Sequence, residues 1–299
     1  MSEACQLCPR FCRVLRPDSL SEKMPGVCAS PMLPMVSRAG LHHWEEPVIS
    51  GTNGSGAVFF TGCNLHCIFC QNHNISSAPA GREIGIERLR EIYFELIEQG
   101  AHNINLVTPT HFTEAILASL AEPLPVPVVW NSNGYELPET LKKLEGKVQI
   151  FLPDLKYADN ALALRYSKTP DYFERTRDAI FEMFRQTGPW NVDDDGILRS
   201  GVVIRHLILP GCVENSKRVI DFVADNFKSG EVFFSLMRQY LPCGLVSNEN
   251  YPELNRLVSD EEYQEVEDYL FSSGIEDGFV QDAESASQDF IPHFDCSGV

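Results

Sequence analysis

The sequence "AVFFTGCNLHCIFCQN", residues 57–72, contains the clearest structural signal in the chain. Its first four residues are apolar and Gly62 follows closely, which is typical of a short buried strand. Directly after this strand, Cys63, Cys67 and Cys70 stand with the spacing C-x3-C-x2-C. Three thiolates in one loop are one ligand short of a closed tetrahedral metal site. The sequence therefore predicts a strand whose carboxyl end carries a metal centre with an open position.

Toward the C-terminus the chain alternates between helix-like and strand-like patterns. Helices are predicted at 86–100, 111–120, 138–144, 160–187, 216–227 and 260–273, and strands at 103–108, 126–133, 148–156, 201–209 and 231–236. Six strand-plus-helix units predict a parallel sheet covered by helices, either an open doubly wound sheet or an incomplete barrel. Polar or Gly/Pro residues follow every strand, and barrels place their functional groups at such strand ends.

We therefore predict an α/β fold, a partial (βα)6 barrel over residues 51–299. Residues 1–50 are predicted to form a Cys-rich, irregular metal- or cluster-binding region, because Pro and Cys are frequent there and periodicity is weak. The tail from Ser285 onward is also irregular. We expect this tail to pack across the open side of the barrel.

Composition narrows the classes of function. The formal net charge is −18, whereas binding to a phosphate backbone needs a basic surface, so we expect no nucleic-acid partner. No run of about 18 uncharged apolar residues occurs, and the first residues lack the apolar core of a signal peptide, so we expect no membrane partner. The chain has ten cysteines, and cytoplasmic cysteines usually stay reduced and serve metals or catalysis. These features predict a cytoplasmic protein.

The metal of the 63–70 loop has several alternatives from residue chemistry alone. Thiolates select zinc, copper(I) or iron–sulfur clusters. His66 or His73 is a candidate for completing a zinc site. A 4Fe–4S cluster held by three thiolates leaves one iron free to bind another group. Candidate fourth ligands that would fill this position are Cys212, Cys243 and Cys296.

A second cysteine group lies near the N-terminus. Cys5, Cys8, Cys12 and Cys28 are spaced C-x2-C-x3-C-x15-C, which makes a closed set of four ligands. A region of about 50 residues with little apolar periodicity needs such a staple to fold. The group suits a structural zinc ion or a second iron–sulfur cluster, and the cluster would be structural, relay electrons or hold substrate.

The segment 41–56 connects the two cysteine regions. Its polar side chains His42, His43, Glu45 and Glu46 suit either contacts with a ligand or substrate, or packing at a hinge. Its glycines lack the spacing and the following lysine of a P-loop, so we do not expect a phosphate cradle.

The cysteine motif resembles the signature of the radical S-adenosylmethionine (SAM) superfamily, C-x3-C-x-Φ-C with an aromatic residue at Φ, here Phe69. More closely, the chain is similar to the activating enzymes of pyruvate formate-lyase and their uncharacterised relatives. This similarity runs from "CQLCPRFCRV" through "HHWEEPVISGTNGSGAVFFTGCNLHCIFCQN" to "FIPHFD", nearly the whole chain. The resemblance implies a partial barrel of six βα units. It also implies that Cys63, Cys67 and Cys70 are the catalytic residues and hold a 4Fe–4S cluster, whose open iron chelates the methionine part of SAM.

The resemblance also implies which residues contact the cofactor. In the family, groups at successive strand ends bind SAM, and an aromatic residue packs beside its adenine. The matching positions of this chain are Phe69, Thr108, Pro109, Thr110, Ser132, Asn133, Asp154, Lys156, Arg205, Gln239 and Tyr240. Thr108–Thr110 replaces the family's Gly-Gly-Glu, and Asn131 replaces a carboxylate that helps to bind a monovalent cation in the activating enzymes.

The function implied by the resemblance is reductive cleavage of SAM to a 5′-deoxyadenosyl radical that abstracts hydrogen from a substrate. The electron would come from an external one-electron donor such as flavodoxin or ferredoxin. The implied substrate is the glycine of a partner glycyl radical enzyme, and the alternative is a small molecule or peptide. A third hypothesis is a non-enzymatic iron–sulfur or zinc scaffold.

Overall fold

The computed structural model describes residues 4–77, 80–287 and 290–299. The described strands are β1 (Met35–His42), β2 (Ser55–Phe60), β3 (Arg82–Glu83), β4 (Ile104–Val107), β5 (Val128–Ser132), β6 (Ile150–Pro153), β7 (Asn191–Val192), β8 (Leu198–Leu207), β9 (Phe233–Met237) and β10 (Gly278–Val280). The described α-helices are α1 (Pro47–Ser50), α2 (His73–Ser76), α3 (Ile86–Glu98), α4 (Thr113–Ser119), α5 (Pro138–Leu141), α6 (Asn160–Ser167), α7 (Tyr172–Thr187), α8 (Val213–Asn226) and α9 (Asp260–Ser272).

The strands form a mostly parallel sheet in the order β10-β9-β8-β6-β5-β4-β2-β1-β3, with β7 paired to β8. Strands β2, β4, β5, β6, β8 and β9 lie side by side in chain order and are parallel, and each is followed by helix. Because the six strands are parallel, their carboxyl ends lie at one edge of the sheet. The predicted α/β fold with six strand-plus-helix units is confirmed.

Burial on both sides of the sheet explains why these segments form strands. All residues of β2, β5, β6 and β9 are buried. Helices cover the sheet through apolar faces: α3 buries Leu89, Ile92, Tyr93 and Leu96 at helical spacing. Each fully buried apolar side chain of this kind stabilises the fold by about 1.5–3 kcal/mol.

Four described strands of the sheet were not predicted: the short strands β3, β7 and β10, and the eight-residue strand β1. Strand β1 pairs antiparallel with β2, although it lies in the segment expected to be irregular. Ser37, Arg38 and Gly40 interrupt its apolar pattern, so only its pairing with β2 identifies it as a strand. Residues 4–34 do lack helix and strand, and residues 1–3 lie outside the described range. The division of the chain at residue 50 stays a prediction.

Among the helices in the described ranges, none combines the length and the hydropathy that a bilayer-spanning helix needs.

Candidate functional site

The loop after β2 presents its cysteines in a structured environment. Cys63 and Cys67 are buried and Cys70 is half-buried. Each sulfur accepts a hydrogen bond from a side chain outside the loop's cysteines: Asn133 Nδ2 to Cys63 Sγ (3.4 Å), Ser167 Oγ to Cys67 Sγ (3.2 Å) and Ser76 Oγ to Cys70 Sγ (3.4 Å). Donors aimed at sulfur stabilise thiolate, the form that binds metal.

The same cysteines are poorly suited to stay as free thiolates. Burial raises the pKa of Cys67 to about 12 and that of Cys70 to about 11, although the Lys156 ammonium acts in the opposite direction on both. A thiol with such a pKa is protonated at neutral pH and loses its proton when a metal binds. The loop therefore suits a cationic metal centre better than nucleophilic catalysis.

The 63–70 loop offers little support for a single metal ion. Ligands around one zinc ion lie about 3.8 Å apart, given Zn–S bonds of about 2.3 Å. In the described part of the chain, no three His, Cys, Asp or Glu side chains are placed to hold one metal ion. His66, one candidate fourth zinc ligand, has its Nε2 2.7 Å from the carbonyl oxygen of Val27. Three cysteine thiolates and one open iron are the ligand set of a 4Fe–4S cluster with a vacant position, and the 63–70 loop supplies three such thiols.

The three cysteines line a cavity of about 230 Å³ at the carboxyl ends of the parallel strands. Most of the expected cofactor contacts line it as well: Phe69, Thr108, Ser132, Asn133, Asp154, Lys156, Arg205 and Gln239. The described lining does not include the cysteines that were candidates for a fourth ligand, Cys212, Cys243 and Cys296. Cys243 Sγ instead donates to the carbonyl oxygen of Phe69 (3.1 Å).

Three expected contacts lie behind the cavity wall as the structure describes it. Thr110 Oγ1 donates to Glu136 Oε1 (2.9 Å), and neither Thr110 nor the buried Pro109 lines the cavity. The Tyr240 hydroxyl donates to the carbonyl oxygen of Leu254 (2.8 Å). The ring of Tyr240 contacts the Phe69 ring edge-on at 6.0 Å between centroids, so it supports Phe69. The cofactor contacts expected of these three residues stay predictions.

A network of charges forms one wall of the cavity. Arg205 Nη1 donates to Glu45 Oε1 (3.0 Å), and Arg205 Nε donates to Asp154 Oδ1 (3.0 Å). Arg205 Nη2 donates to Asn131 Oδ1 (2.7 Å). Lys156 Nζ donates to Asp154 Oδ2 (2.7 Å). Two cations thus meet two carboxylates, and the network balances its own charge.

These partners set the ionisation of the network. Burial alone would raise the pKa of Asp154, but Arg205 and Lys156 lower it below its usual range. Burial would lower the pKa of Lys156, and the Asp154 carboxylate raises it instead. The neighbouring Glu46 differs, because burial raises its pKa to about 7 against the opposing effect of Arg205. Glu46 Oε1 accepts a hydrogen bond from Ser235 Oγ (2.8 Å).

Some residues that line the cavity come from segments to which the sequence assigned two alternative roles or no role. Glu45 was expected to contact a ligand or to pack at a hinge, and it joins Asn131 in the charge network, with Asn131 Nδ2 donating to Glu45 Oε2 (2.6 Å). Phe290, Ile291 and Pro292 line the cavity, which agrees with a tail packed across the open side of the barrel. The Phe290 ring lies 4.8 Å from that of Trp44, another lining residue that was missed. Adjacent aromatic and apolar residues in "FIPHF" were the available signal.

The N-terminal cysteines lie at a different place from this cavity. Cys5, Cys8, Cys12 and Cys28 all line a separate small cavity of about 20 Å³. The structure therefore brings these four together, as their spacing predicted, and keeps them apart from the open cavity.

Comparison with known proteins identifies the barrel. A family model described as the radical SAM superfamily matches residues 57–222. The match begins in β2 and ends within α8, and it includes the three cysteines of the 63–70 loop.

Individual proteins are similar over comparable lengths. An uncharacterized protein of Methanocaldococcus jannaschii is 30% identical over 240 residues, which are 77% of this chain and 64% of the relative's own length. SuiB of Streptococcus suis, bound to the precursor peptide SuiA, has 13% identity and a TM-score of 0.50 over 74% of this chain and 47% of SuiB. A spore photoproduct lyase variant has 12% identity and a TM-score of 0.50 over 74% of each chain. At these identities the two structures are similar to this chain in fold alone.

Proposed function

This chain belongs to the radical SAM superfamily, and from this premise we propose that it cleaves SAM reductively and abstracts hydrogen from a substrate. The supporting observation is the cavity at the strand ends, where the three cysteines meet polar residues from the neighbouring strands. When bound there, a 4Fe–4S cluster and SAM supply an electron transfer that gives methionine and a 5′-deoxyadenosyl radical. The protein contributes binding, orientation and exclusion of water.

The polar strand ends suit the groups of SAM. Lys156 offers an ammonium to the methionine carboxylate or the ribose, and its pairing with Asp154 holds it in place at 2.7 Å. Ser132 and Asn133 line the same wall and carry hydroxyl and amide groups that match ribose hydroxyls. Phe69 offers an apolar face for the adenine. Thr108 has a left-handed φ of 60° at the end of β4, an unusual conformation that accords with a binding role.

Arg205 takes a different role from the one that the resemblance implied. Its guanidinium lies between Asp154 and Glu45 and also contacts Asn131. A guanidinium in this place supplies the positive charge that a bound cation would supply between carboxylates. We therefore assign Arg205 to holding the wall, with no monovalent cation beside it.

Trp44, Phe290 and Ile291 line the cavity together with the charged residues and form its apolar cover. A reactive radical needs an enclosure without stray hydrogen donors, and closing an active site provides it. We therefore propose that these three residues contribute to such an enclosure.

The proposal includes an external one-electron donor such as flavodoxin or ferredoxin, and a cytoplasmic location. The proposed substrate is a glycine of a partner glycyl radical enzyme, with a small molecule or a peptide as the second candidate. The aromatic cover suits both, because a peptide segment or a compact apolar molecule can pack against Trp44 and Phe290. The non-enzymatic scaffold is disfavoured, because it has no use for the polar residues around the open cavity.

The decisive experiment measures 5′-deoxyadenosine. Protein reconstituted anaerobically with iron and sulfide should convert SAM to 5′-deoxyadenosine and methionine when dithionite is added, and not without it. The matched variant Lys156→Met should raise the KM for SAM at unchanged iron content. If the reconstituted wild type makes no 5′-deoxyadenosine with dithionite, the proposal is wrong.

A labelling experiment separates the two substrate classes. Candidate peptides with deuterated glycine and deuterated small molecules are incubated with the active protein. Deuterium in 5′-deoxyadenosine identifies the class that donates hydrogen. Label from a small molecule alone would reject the glycyl radical partner.

A further inference from the structure

The four N-terminal cysteines are gathered around one small enclosed space. Their cavity has a volume of about 20 Å³, far smaller than the open cavity, and leaves no room for a substrate beside a metal centre. Apolar side chains such as Val14 and Val27 complete its lining. The His111 ring lines it as well, and His111 Nδ1 has no hydrogen-bond partner within the described ranges. A buried polar atom without a hydrogen-bond partner indicates that the cavity binds a group that is not part of the protein chain.

Two arginines of this cavity carry positive charge without a matching carboxylate. Buried Arg16 donates only to the carbonyl oxygens of Ser30, Pro31 and His111. Half-buried Arg10 donates only to the carbonyl oxygens of Asn64, Leu65, Ser167 and Lys168. Over residues 4–77, 80–287 and 290–299, neither forms an ion pair with an acidic side chain. Each also lies near an aromatic ring, Arg10 near Tyr135 and Arg16 near Phe112.

Carbonyl dipoles and rings compensate a buried cation only in part, because a charge taken from water needs an opposite charge nearby. Four thiolates around a divalent ion, or around a 4Fe–4S core, carry two negative charges. Two guanidiniums would neutralise such a centre. Arg10 and Arg16 together carry two positive charges. This equals the net negative charge that the four cysteines and their bound metal centre would have.

We propose that Cys5, Cys8, Cys12 and Cys28 bind a second iron–sulfur cluster, with Arg10 and Arg16 balancing its charge. A single zinc ion would draw its ligands about 3.8 Å apart. Within the described ranges, no group of three His, Cys, Asp or Glu side chains is placed to hold a single metal ion, at this site or at the 63–70 loop. The Val27 amide donates to Cys12 Sγ (3.4 Å), as amides do around clusters. The inference does not depend on the proposed SAM chemistry.

The second centre also lies directly behind the 63–70 loop. Arg10 holds the carbonyl oxygens of Asn64 and Leu65 at 2.7 and 3.0 Å. Gly62 has a φ of +79°, and a Cβ at this position would collide with the carbonyl oxygen of Cys28. The two cysteine regions therefore form one packed unit, in which the closed centre positions the open loop.

Two proteins test this inference by metal content. After anaerobic reconstitution, the wild type should contain about eight iron and eight sulfide per chain, as two cubane clusters require. The variant Cys63→Ala/Cys67→Ala/Cys70→Ala keeps only the N-terminal group and should contain about four of each. Its reduced form should show the electron paramagnetic resonance of one cluster. Cys296→Ser, outside both groups, should match the wild type.

Three results would overturn the proposal. The first is about four iron in the wild type together with about one zinc. The second is a triple variant that has wild-type circular dichroism and contains no sulfide. The third is a wild type with about four iron and no zinc at all. If the triple variant does not fold, the wild-type stoichiometry alone decides between one cluster and two. If the wild type has two clusters and makes no 5′-deoxyadenosine, only the proposed function fails.

Discussion

The two cysteine regions differ in their number of thiols, the space around them and the origin of their balancing charge. The 63–70 loop has three thiols on a cavity of about 230 Å³, and the N-terminal group has four around about 20 Å³. A missing ligand is useful only where another molecule can reach the metal. We therefore expect reactivity at the open 63–70 loop and a positioning role at the closed N-terminal group.

The charges around the two regions follow the same division. At the open cavity, Arg205 and Lys156 meet Asp154 and Glu45 without any metal. At the closed cavity, Arg10 and Arg16 meet backbone carbonyl oxygens. The open region is therefore balanced before a cofactor arrives, and the closed region becomes balanced when its centre is bound.

Loss of a single cysteine should have different consequences in the two regions. Cys67→Ala should reduce 5′-deoxyadenosine formation by more than 100-fold, because even loss of an outer-shell partner of a metal costs about 10–100-fold. Cys12→Ala should keep measurable cleavage per folded protein and lower the free energy of unfolding more, since metal binding there stabilises the fold. The measurements are product formation and urea unfolding of reconstituted proteins. The assignment of different roles to the two regions is wrong if Cys12→Ala has wild-type stability and forms no 5′-deoxyadenosine.

The second prediction concerns charge. Arg205→Met leaves Asp154 and Glu45 without a guanidinium and should cost about 3–5 kcal/mol of unfolding free energy, with or without metal. Arg16→Met should lower the free energy of unfolding only in the metal-loaded protein. In the metal-free protein the substitution removes a positive charge that no carboxylate balances. Urea unfolding of both variants, each with and without metal, checks this contrast. Equal costs for Arg16→Met in the two states would contradict it.

The third prediction concerns the link between the regions. Arg10→Gln should lower the free energy of unfolding by about 1.5–3 kcal/mol, since charged hydrogen bonds to the loop carbonyl oxygens are lost. It should also lower the iron content of the 63–70 loop in a Cys12→Ser/Cys28→Ser background. Arg13→Gln, at an exposed arginine of the same segment, is the control and should change stability by less than about 0.5 kcal/mol. If Arg10→Gln and Arg13→Gln change stability and iron content equally, Arg10 does not connect the two cysteine regions.

The smallest predicted effect concerns pH and belongs to the open region alone. The pKa of Glu46 rises from 4.5 to about 7 because it is buried, so its protonated form is favoured in the folded state. This contribution is fully present below pH 4.5 and is lost as pH rises through 7. Between pH 5 and 8 the wild type should lose about 2 kcal/mol more stability than Glu46→Gln. If the free energy of unfolding changes equally with pH in the two proteins, Glu46 is not the group responsible.

Local patterns were sufficient for much of the fold. Each of the six parallel strands and its helix was visible, because burial on both faces produces short apolar runs and amphipathic helices at fixed periods. Strand β1 was not visible, since Ser37, Arg38 and Gly40 break its pattern and its partner β2 decides its conformation. Local patterns also did not indicate the hydrogen-bond partners of Thr110 and Tyr240, which are Glu136 and the carbonyl oxygen of Leu254.

The βα order, the cysteine spacings and the family were readable from the amino-acid sequence, because these depend on neighbours a few residues apart. The contact of Glu45 with Arg205, 160 positions away, and that of Arg10 with Lys168, 158 positions away, arise only when the chain folds. Chain folding brings such residues together, and no local period records the meeting. The cysteine spacings predicted one site of three ligands with an open position and one closed set of four. The three-dimensional packing added the space around each group, a cavity of about 230 Å³ at the first and of about 20 Å³ at the second.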